Sequence, residues 1–305
     1  MRKNITRILT IILLIFLILL TASCGLQTRT TQVEKGTEGL YTKIFAGNNN
    51  ILYEDTTGTI NVDVENRGAG EVNHGILVLN VPEQFIEIPR DQQKELLLAG
   101  RSIDQPVGEQ ITYTFNVKIR EITSEKKDIP TIISASTCYQ YKTTASPTVC
   151  IQMPDDSKPE CKERTVLLGG QGGPLAITSV ETTTIPSEGD MVMPIITIKI
   201  QNKGRGIVLE PSTVLNACLS TSEKAQENKA LIEAFIDHKG RMLTCNKEKT
   251  QGETSIKIDE GTTTITCKYD QGIPKSEGTH TSQIIINLAY GYYDITTQKI
   301  VIKKT

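Results

Sequence analysis

The chain has 305 residues, with 33 lysines and arginines against 35 aspartates and glutamates, and it contains no tryptophan. Both signs of charge are interspersed and the formal net charge is −2. No basic stripe exists to track a phosphate backbone, which excludes nucleic acid from the expected partners.

The first residues read "MRKNITRILTIILLIFLILLTASCG". Arg2, Lys3 and Arg7 form a positive head, and an apolar or threonine run follows to Leu20. That core has the length of a signal-peptide apolar region and falls short of the ~20 residues that span a bilayer. Small residues then lead to Cys24. The segment resembles the lipobox of prokaryotic lipoproteins, in which the cysteine is lipidated and becomes the mature N-terminus. Thr21 departs from that pattern, which prefers a branched aliphatic residue there. An uncleaved anchor helix reaching Leu26 and a plainly secreted product remain as alternatives, and all three place the rest of the chain outside the cytoplasm. Residues 1–23 are thus read as a signal peptide and 24–37 as a polar tether. The fifteen residues "GLQTRTTQVEKGTEG" could reach roughly 50 Å if extended.

The next pattern is "INVDVENRGAG" (60–70). Ile60, Val62 and Val64 alternate with polar residues, the period of two that marks a half-buried strand. The turn Asn66-Arg67-Gly68-Ala69-Gly70 follows, with glycines expected to take backbone angles that a side chain forbids. The same design returns as "ITIKIQNKGRG" (196–206): Ile196, Ile198 and Ile200, then Asn202, Gly204 and Gly206. A second echo agrees, because "CYQYKTT" (138–144) returns in character as "AYGYYDITT" (289–297). Tyr139 and Tyr141 thereby correspond to Tyr290 and Tyr292. The interval between the two landmarks is longer in the second copy, so an insertion is expected there, with "STSEKAQENKA" (220–230) as a short helix. Strand-like runs such as "GILVLNV", "ITYTFNVKI", "TIISAST", "ALIEAFID", "TTTITCKY" and "SQIIINLAY" fill the remainder. The expected fold class is all-β: two tandem Ig-like antiparallel sandwiches, 38–156 and 177–305, joined by a linker at 157–176. The linker contains "GGQGGP", where Pro174 and a strand follow the glycines instead of the Lys-Ser/Thr and helix of a phosphate loop.

Apart from Cys24 there are six cysteines, Cys138, Cys150, Cys161, Cys218, Cys245 and Cys267, none in C-x-x-C spacing. An even number in an exported chain points to bridges. In "CYQYKTTASPTVC" both cysteines are equally far from Thr144, so Cys138 and Cys150 are expected to face each other across a hairpin. Cys245 with Cys267 is the second expected pair, leaving Cys161 with Cys218, or two free buried thiols.

The repeated strand and N-x-G turn resemble the cell-adhesion-related (CARDB-type) Ig-like domains of bacterial and archaeal surface proteins. The combination with the tyrosine motif and "GGQGGP" is similar to exported proteins of small-genome archaea. The resemblance implies a surface-displayed array of β-sandwiches and carries no catalytic or ligand residue with it.

Chemistry is sparse. His74, His238 and His280 lie far apart without companion ligands, so no metal centre is expected. The carboxylate pairs Glu54-Asp55, Asp155-Asp156 and Asp259-Glu260 read as solvated turns, with calcium held by Asp155 and Asp156 near the boundary as the sharper alternative. Tyr139, Tyr141, Tyr290, Tyr292 and Tyr293 either fill sandwich edges and corners or form a sugar-stacking platform. G-x-S-x-G is absent and the cysteines are committed to bridges, so the chain is not expected to be an enzyme or to carry a cofactor. The expected function is a non-catalytic membrane-anchored lipoprotein on the extracellular face, serving adhesion or envelope or assembly scaffolding. The alternative is a carbohydrate- or small-ligand-binding module of an uptake or degradative complex. The expected partners are the membrane, through an N-terminal lipid or anchor helix, and a surface protein or glycan. Open sheet edges allow self-association.

Overall fold

A computed structural model describes residues 35–88, 92–123, 125–219, 223–236, 240–245 and 254–305. Residues 1–23, Cys24 and His238 lie outside the described residues. In chain order the strands are β1 (Leu40–Ala46), β2 (Ile51–Tyr53), β3 (Thr57–Asn66), β4 (Val72–Asn80), β5 (Ile86–Glu87), β6 (Gln93–Leu98) and β7 (Gln110–Ile119). They continue with β8 (Asp128–Ala145), β9 (Thr148–Ile151), β10 (Val166–Leu167), β11 (Leu175–Pro186), β12 (Met191–Asn202) and β13 (Ile207–Leu209). A 3-10 helix, η1 (Pro211–Ala217), precedes β14 (Lys229–Ile236), β15 (Arg241–Met242), β16 (Thr244–Cys245), β17 (Thr254–Lys257) and β18 (Thr263–Lys268). The chain closes with β19 (Ile273–Pro274), a second 3-10 turn η2 (Lys275–Glu277) and β20 (His280–Lys303).

The fold is all-β and built of sandwich layers. One four-stranded sheet has the order β1-β3-β7-β5, and its six-stranded counterpart runs β10-β11-β12-β18-β16. The repeated segments take equivalent places in them, β3 between β1 and β7, and β12 between β11 and β18. Alternation decides the layering. Ile60, Val62 and Val64 are fully buried, as are Ile196, Ile198 and Ile200. On the outer face Thr112 and Thr114 donate to Asp63 (2.7 Å) and Asn61 (2.9 Å) across the ladder. Burial of such apolar side chains stabilises by about 1.5–3 kcal/mol each.

The third sheet has ten strands, six along the path β15-β14-β20-β8-β4-β6 and four beside it (β13, β2 and β9 on β20, β17 on β14), and it belongs to both copies. The long strands β8 and β20 pair antiparallel from Asp128↔Lys303 to Ala145↔Ile286, with Gln140 opposite Gly291. After a break at Ser146-Pro147, β9 continues on the same register, from Thr148↔Gln283 to Ile151↔His280. Tyr139 therefore faces Tyr292 and Tyr141 faces Tyr290, so that exchanging the copies leaves the ladder unchanged. The pair Gln140/Gly291 marks a pseudo-twofold axis. At ~3.3 Å per residue, the 24 residues of β20 extend roughly 80 Å. Each copy thus begins its last strand in its own sandwich and ends it in the other. Ile300 and Ile302 of β20 are buried beside the first copy, where β2 pairs with residues 301–303. Val149 and Ile151 of β9 are buried on the second copy's side, against 280–283.

Three expectations are corrected here. Residues 157–176 are not a spacer between separate sandwiches, since positions 171–177 are buried and Val33–Thr305 forms one compact unit. The insertion lies between β13 and β14, where the second copy interrupts the strand that β4 forms unbroken in the first. In the first copy the same place carries only a register shift, between Val72 and Gly75. Its helical turn is η1, upstream of 220–230; residues 223–228 are irregular, and Lys229 already starts β14.

The bridges form the third correction. The pairs are Cys138–Cys218, Cys150–Cys161 and Cys245–Cys267, so Cys138 does not meet Cys150, nor Cys161 Cys218. No hairpin turns near Thr144; β8 runs straight through it, and Pro147 accepts a hydrogen bond from Ile284 within the continuing ladder. Cys138 and Cys150 therefore recede from each other along one line. Cys138 instead reaches across the outer face of the shared sheet to the insertion.

Candidate functional site

Both copies converge on the axis, and the site is built there from the tyrosines outward. Tyr139, Tyr141, Tyr290 and Tyr292 point from β8 and β20 into the core and form a closed ring of neighbours. Their centroid separations are 5.7 Å (139–141), 5.9 Å (139–292), 6.1 Å (141–290) and 6.4 Å (290–292). Two contacts are edge-on and two tilted, the arrangements that ring quadrupoles favour.

Each hydroxyl has a backbone partner, and the partners obey the same twofold. Tyr141 Oη accepts from Gly70 N (3.1 Å), and Tyr292 Oη accepts from Gly206 N (2.8 Å). They donate to Asn66 Oδ1 (3.3 Å) and Asn202 Oδ1 (3.2 Å). Tyr139 and Tyr290 accept from Leu40 N and Leu175 N, the first residues of equivalent strands, each at 3.3 Å. The asparagines close the turns: Asn66 Nδ2 donates to Gly70 O (2.7 Å) and Asn202 Nδ2 to Gly206 O (2.8 Å). Gly68 N and Gly204 N return to the asparagine Oδ1 atoms, both at 3.1 Å.

The glycines of these turns have a different cause from the expected one. None of Gly68, Gly70, Gly204 and Gly206 has a positive φ. A Cβ on Gly68 would lie 1.9 Å from Tyr141 Oη, and one on Gly204 would lie 2.1 Å from Tyr292 Oη. Glycine is required because the phenol packs onto the turn.

"GGQGGP" is the seam of this assembly. Gly172 N donates to Gly36 O (2.8 Å), Ala69 N to Gly172 O (2.7 Å) and Lys203 N to Pro174 O (2.7 Å), so the segment is held between the first strand's approach and both turns. Gln171 is buried, and its amide satisfies both backbone groups of Ile177, at 3.0 and 2.9 Å. Residues 35–37, expected to belong to the free tether, are held too: Arg101 Nη2 donates to the carbonyl of Lys35. On the opposite face the insertion covers the axis. Gln140 Nε2 donates to Pro211 O (2.9 Å), a Cβ on Gly291 would meet Val214 at 2.5 Å, and Cys138 is bonded to Cys218.

Outside the ring a cleft of about 340 Å³ opens at the waist, lined by Glu38, Tyr41, Arg67, Lys203, Arg205 and Asp294 among others. The Arg67 guanidinium stacks 3.6 Å above the Tyr41 ring, binds Glu65 at 2.8 Å and faces Glu38 at 3.9 Å. Arg205 lies 4.0 Å from Asp294. An adjoining open groove of about 740 Å³ shares Thr37 and Lys203 and is lined by Thr178, Lys199, Gln201 and Thr264. These walls offer hydrogen bonds and paired charges. Burial pushes the Tyr292 hydroxyl up to about 12 and those of Tyr139, Tyr141 and Tyr290 well upward, so all four stay protonated at neutral pH. They supply neither base nor nucleophile. Their burial also overturns the sugar-stacking platform; only Tyr293 of the five is half-buried, on the outer face beside η1.

The remaining candidates are dispersed. His74 is exposed on β4, and His280 Nδ1 lies 2.9 Å from Gly278 O. Lys275 Nζ takes Asp155 at 3.0 Å, and Asp156 Oδ1 accepts from Lys158 N at 3.0 Å. Hydrogen bonds from Thr279 and Lys158 hold the Asp156 carboxyl below its usual range. Among the described residues, no group of three or more metal-ligating side chains occurs. Glu54, whose role the sequence hid, is buried and accepts from Ile122 N (2.9 Å) and Thr305 N (3.1 Å), pinning the chain's end to the first copy. Its two partners lie far away in sequence, and no local pattern announces them. No family model matches the chain, and no curated protein matches it.

Proposed function

We propose that this protein is a non-catalytic surface lipoprotein of the extracellular face, held to the membrane at its N-terminus and serving adhesion or envelope scaffolding. The observation that carries the reading is the union of an N-terminal apolar run to Leu20, followed by small residues and Cys24, with a body whose six other cysteines are all bridged. Bridges of this kind persist in oxidising compartments. The resemblance to CARDB-type domains supports the same reading. The polar groups at the axis are occupied in fixing the two copies to each other, which suits a load-bearing spacer or adhesin better than a pocket for chemistry. The experiment is fractionation of cells producing the native chain and the Cys24→Ser variant. Loss of the variant from the membrane, or its accumulation unprocessed, is expected. Equal retention of a processed variant would overturn lipid anchoring.

A further inference from the structure

We infer that the waist face around Lys35 is a membrane-docking surface, which rests against the bilayer and lays both sandwiches along it. The inference rests on the anchored reading above and adds to it which surface meets the lipid.

The chain joins the folded body at the waist, not at either end. Lys35 is bonded through its carbonyl to Arg101, Gly36 to Gly172, and Leu40 to Tyr139 beside the axis. From Cys24 to Lys35 an extended chain reaches roughly 36 Å, less than half the roughly 80 Å length of β20. A tether this short, fastened at mid-length, keeps the waist nearest the membrane and leaves the distant ends of the body further away.

The segments flanking that point carry exposed apolar side chains. Val107 is 68% exposed and Ile103 54%, both on the segment between β6 and β7 that Arg101 N ties to Gly68 O (2.8 Å). Leu167, 81% exposed at the end of β10, lines the groove that Thr37 also lines. Single exposed apolar residues are ordinary on any surface; here two on a loop and one on the short edge strand β10 surround the place where the anchor segment arrives. Lys35, Lys199 and Lys203 are exposed in the same neighbourhood, while Arg67 and Arg205 of the cleft have acidic neighbours. Short apolar tips between lysines suit a headgroup layer, with side chains dipping to the acyl boundary and ammonium groups at the phosphates.

The absence of tryptophan from the chain makes the test direct. Val107→Trp, Leu167→Trp and Ile132→Trp each place a single emitter; Ile132 is exposed on the shared sheet, away from the axis. Full-length lipidated protein is reconstituted into phosphatidylglycerol vesicles with brominated acyl chains, and flotation and emission are measured together. Docking predicts co-flotation of all three variants, with Val107→Trp and Leu167→Trp quenched about two-fold or more relative to Ile132→Trp. Co-flotation with equal emission from all three positions would overturn docking and leave the anchor standing. Protein that does not float overturns both.

Discussion

Tyr141 and Tyr292 explain why the N-x-G-x-G turn occurs twice. Each phenol sits on its turn, accepts the last glycine's N–H and donates to the asparagine, so the turn and the shared strand fix each other. Gly68→Ala and Gly204→Ala should each destabilise by about 1–3 kcal/mol through overpacking. Gly169→Ala, with open space around the added carbon, should stay within about 0.5 kcal/mol in the same thermal or denaturant melts. The four buried hydroxyls also set an alkaline limit. Unfolded tyrosines lose their protons near pH ~10, whereas the folded ones titrate higher. Below that pH both states are protonated and stability is unaffected. Above it the unfolded chain releases protons that the native state keeps, so stability falls by up to about 1.4 kcal/mol per pH unit for each tyrosine until the folded value is passed. Denaturant unfolding at about pH 9 and about pH 11 should show that loss, with tyrosinate absorbance rising as the fold is lost. The repeated residues were legible because duplication wrote them twice. The reason for their glycines was not, because it lies on a strand far along the chain.

Among the elements, strands were readable from period-two alternation, and the runs at 75–81, 111–119 and 131–137 lie within or beside β4, β7 and β8. What failed was partner choice. A symmetric spacing about Thr144 looks like a hairpin when read alone, yet β20 offers β8 and β9 a continuous antiparallel edge, and that ladder wins. The bridge pattern follows from it. Cys138–Cys218 spans a sequence separation of 80 and fastens the insertion of one copy to a strand of the other, whereas Cys150–Cys161 spans 11. On the chain-entropy account the longer closure contributes about 4–5 kcal/mol and the shorter about 3 kcal/mol. Replacing Cys138 and Cys218 together by alanine should therefore lower the denaturation midpoint more than the same change at Cys150 and Cys161. The reverse order would mean that η1 is held chiefly by the apolar packing of its Val214 with Leu209 and Ile76.

At the scale of the whole molecule, duplication was legible in the sequence, but the exchange of terminal strands was not. Both arrangements, separate sandwiches or a shared sheet, require the same inward and outward residues on every strand. Only the pairing of β8 with β20 distinguishes them, and it depends on contacts more than a hundred residues apart. The glycine cluster is ambiguous in the same way: a flexible connection and a close-packed seam both call for residues without side chains. The buried Gln171 is the one residue there that points to a seam. Amide hydrogen exchange of the native protein tests the shared sheet most directly. The shared sheet predicts that amides of residues 134–139 and 286–289, which have a paired strand on each side, exchange among the slowest in the chain and well behind the edge strands β1 and β6. Exchange in those two segments as fast as in β1 and β6 would contradict it, because it would make each an outer edge of an independent sandwich.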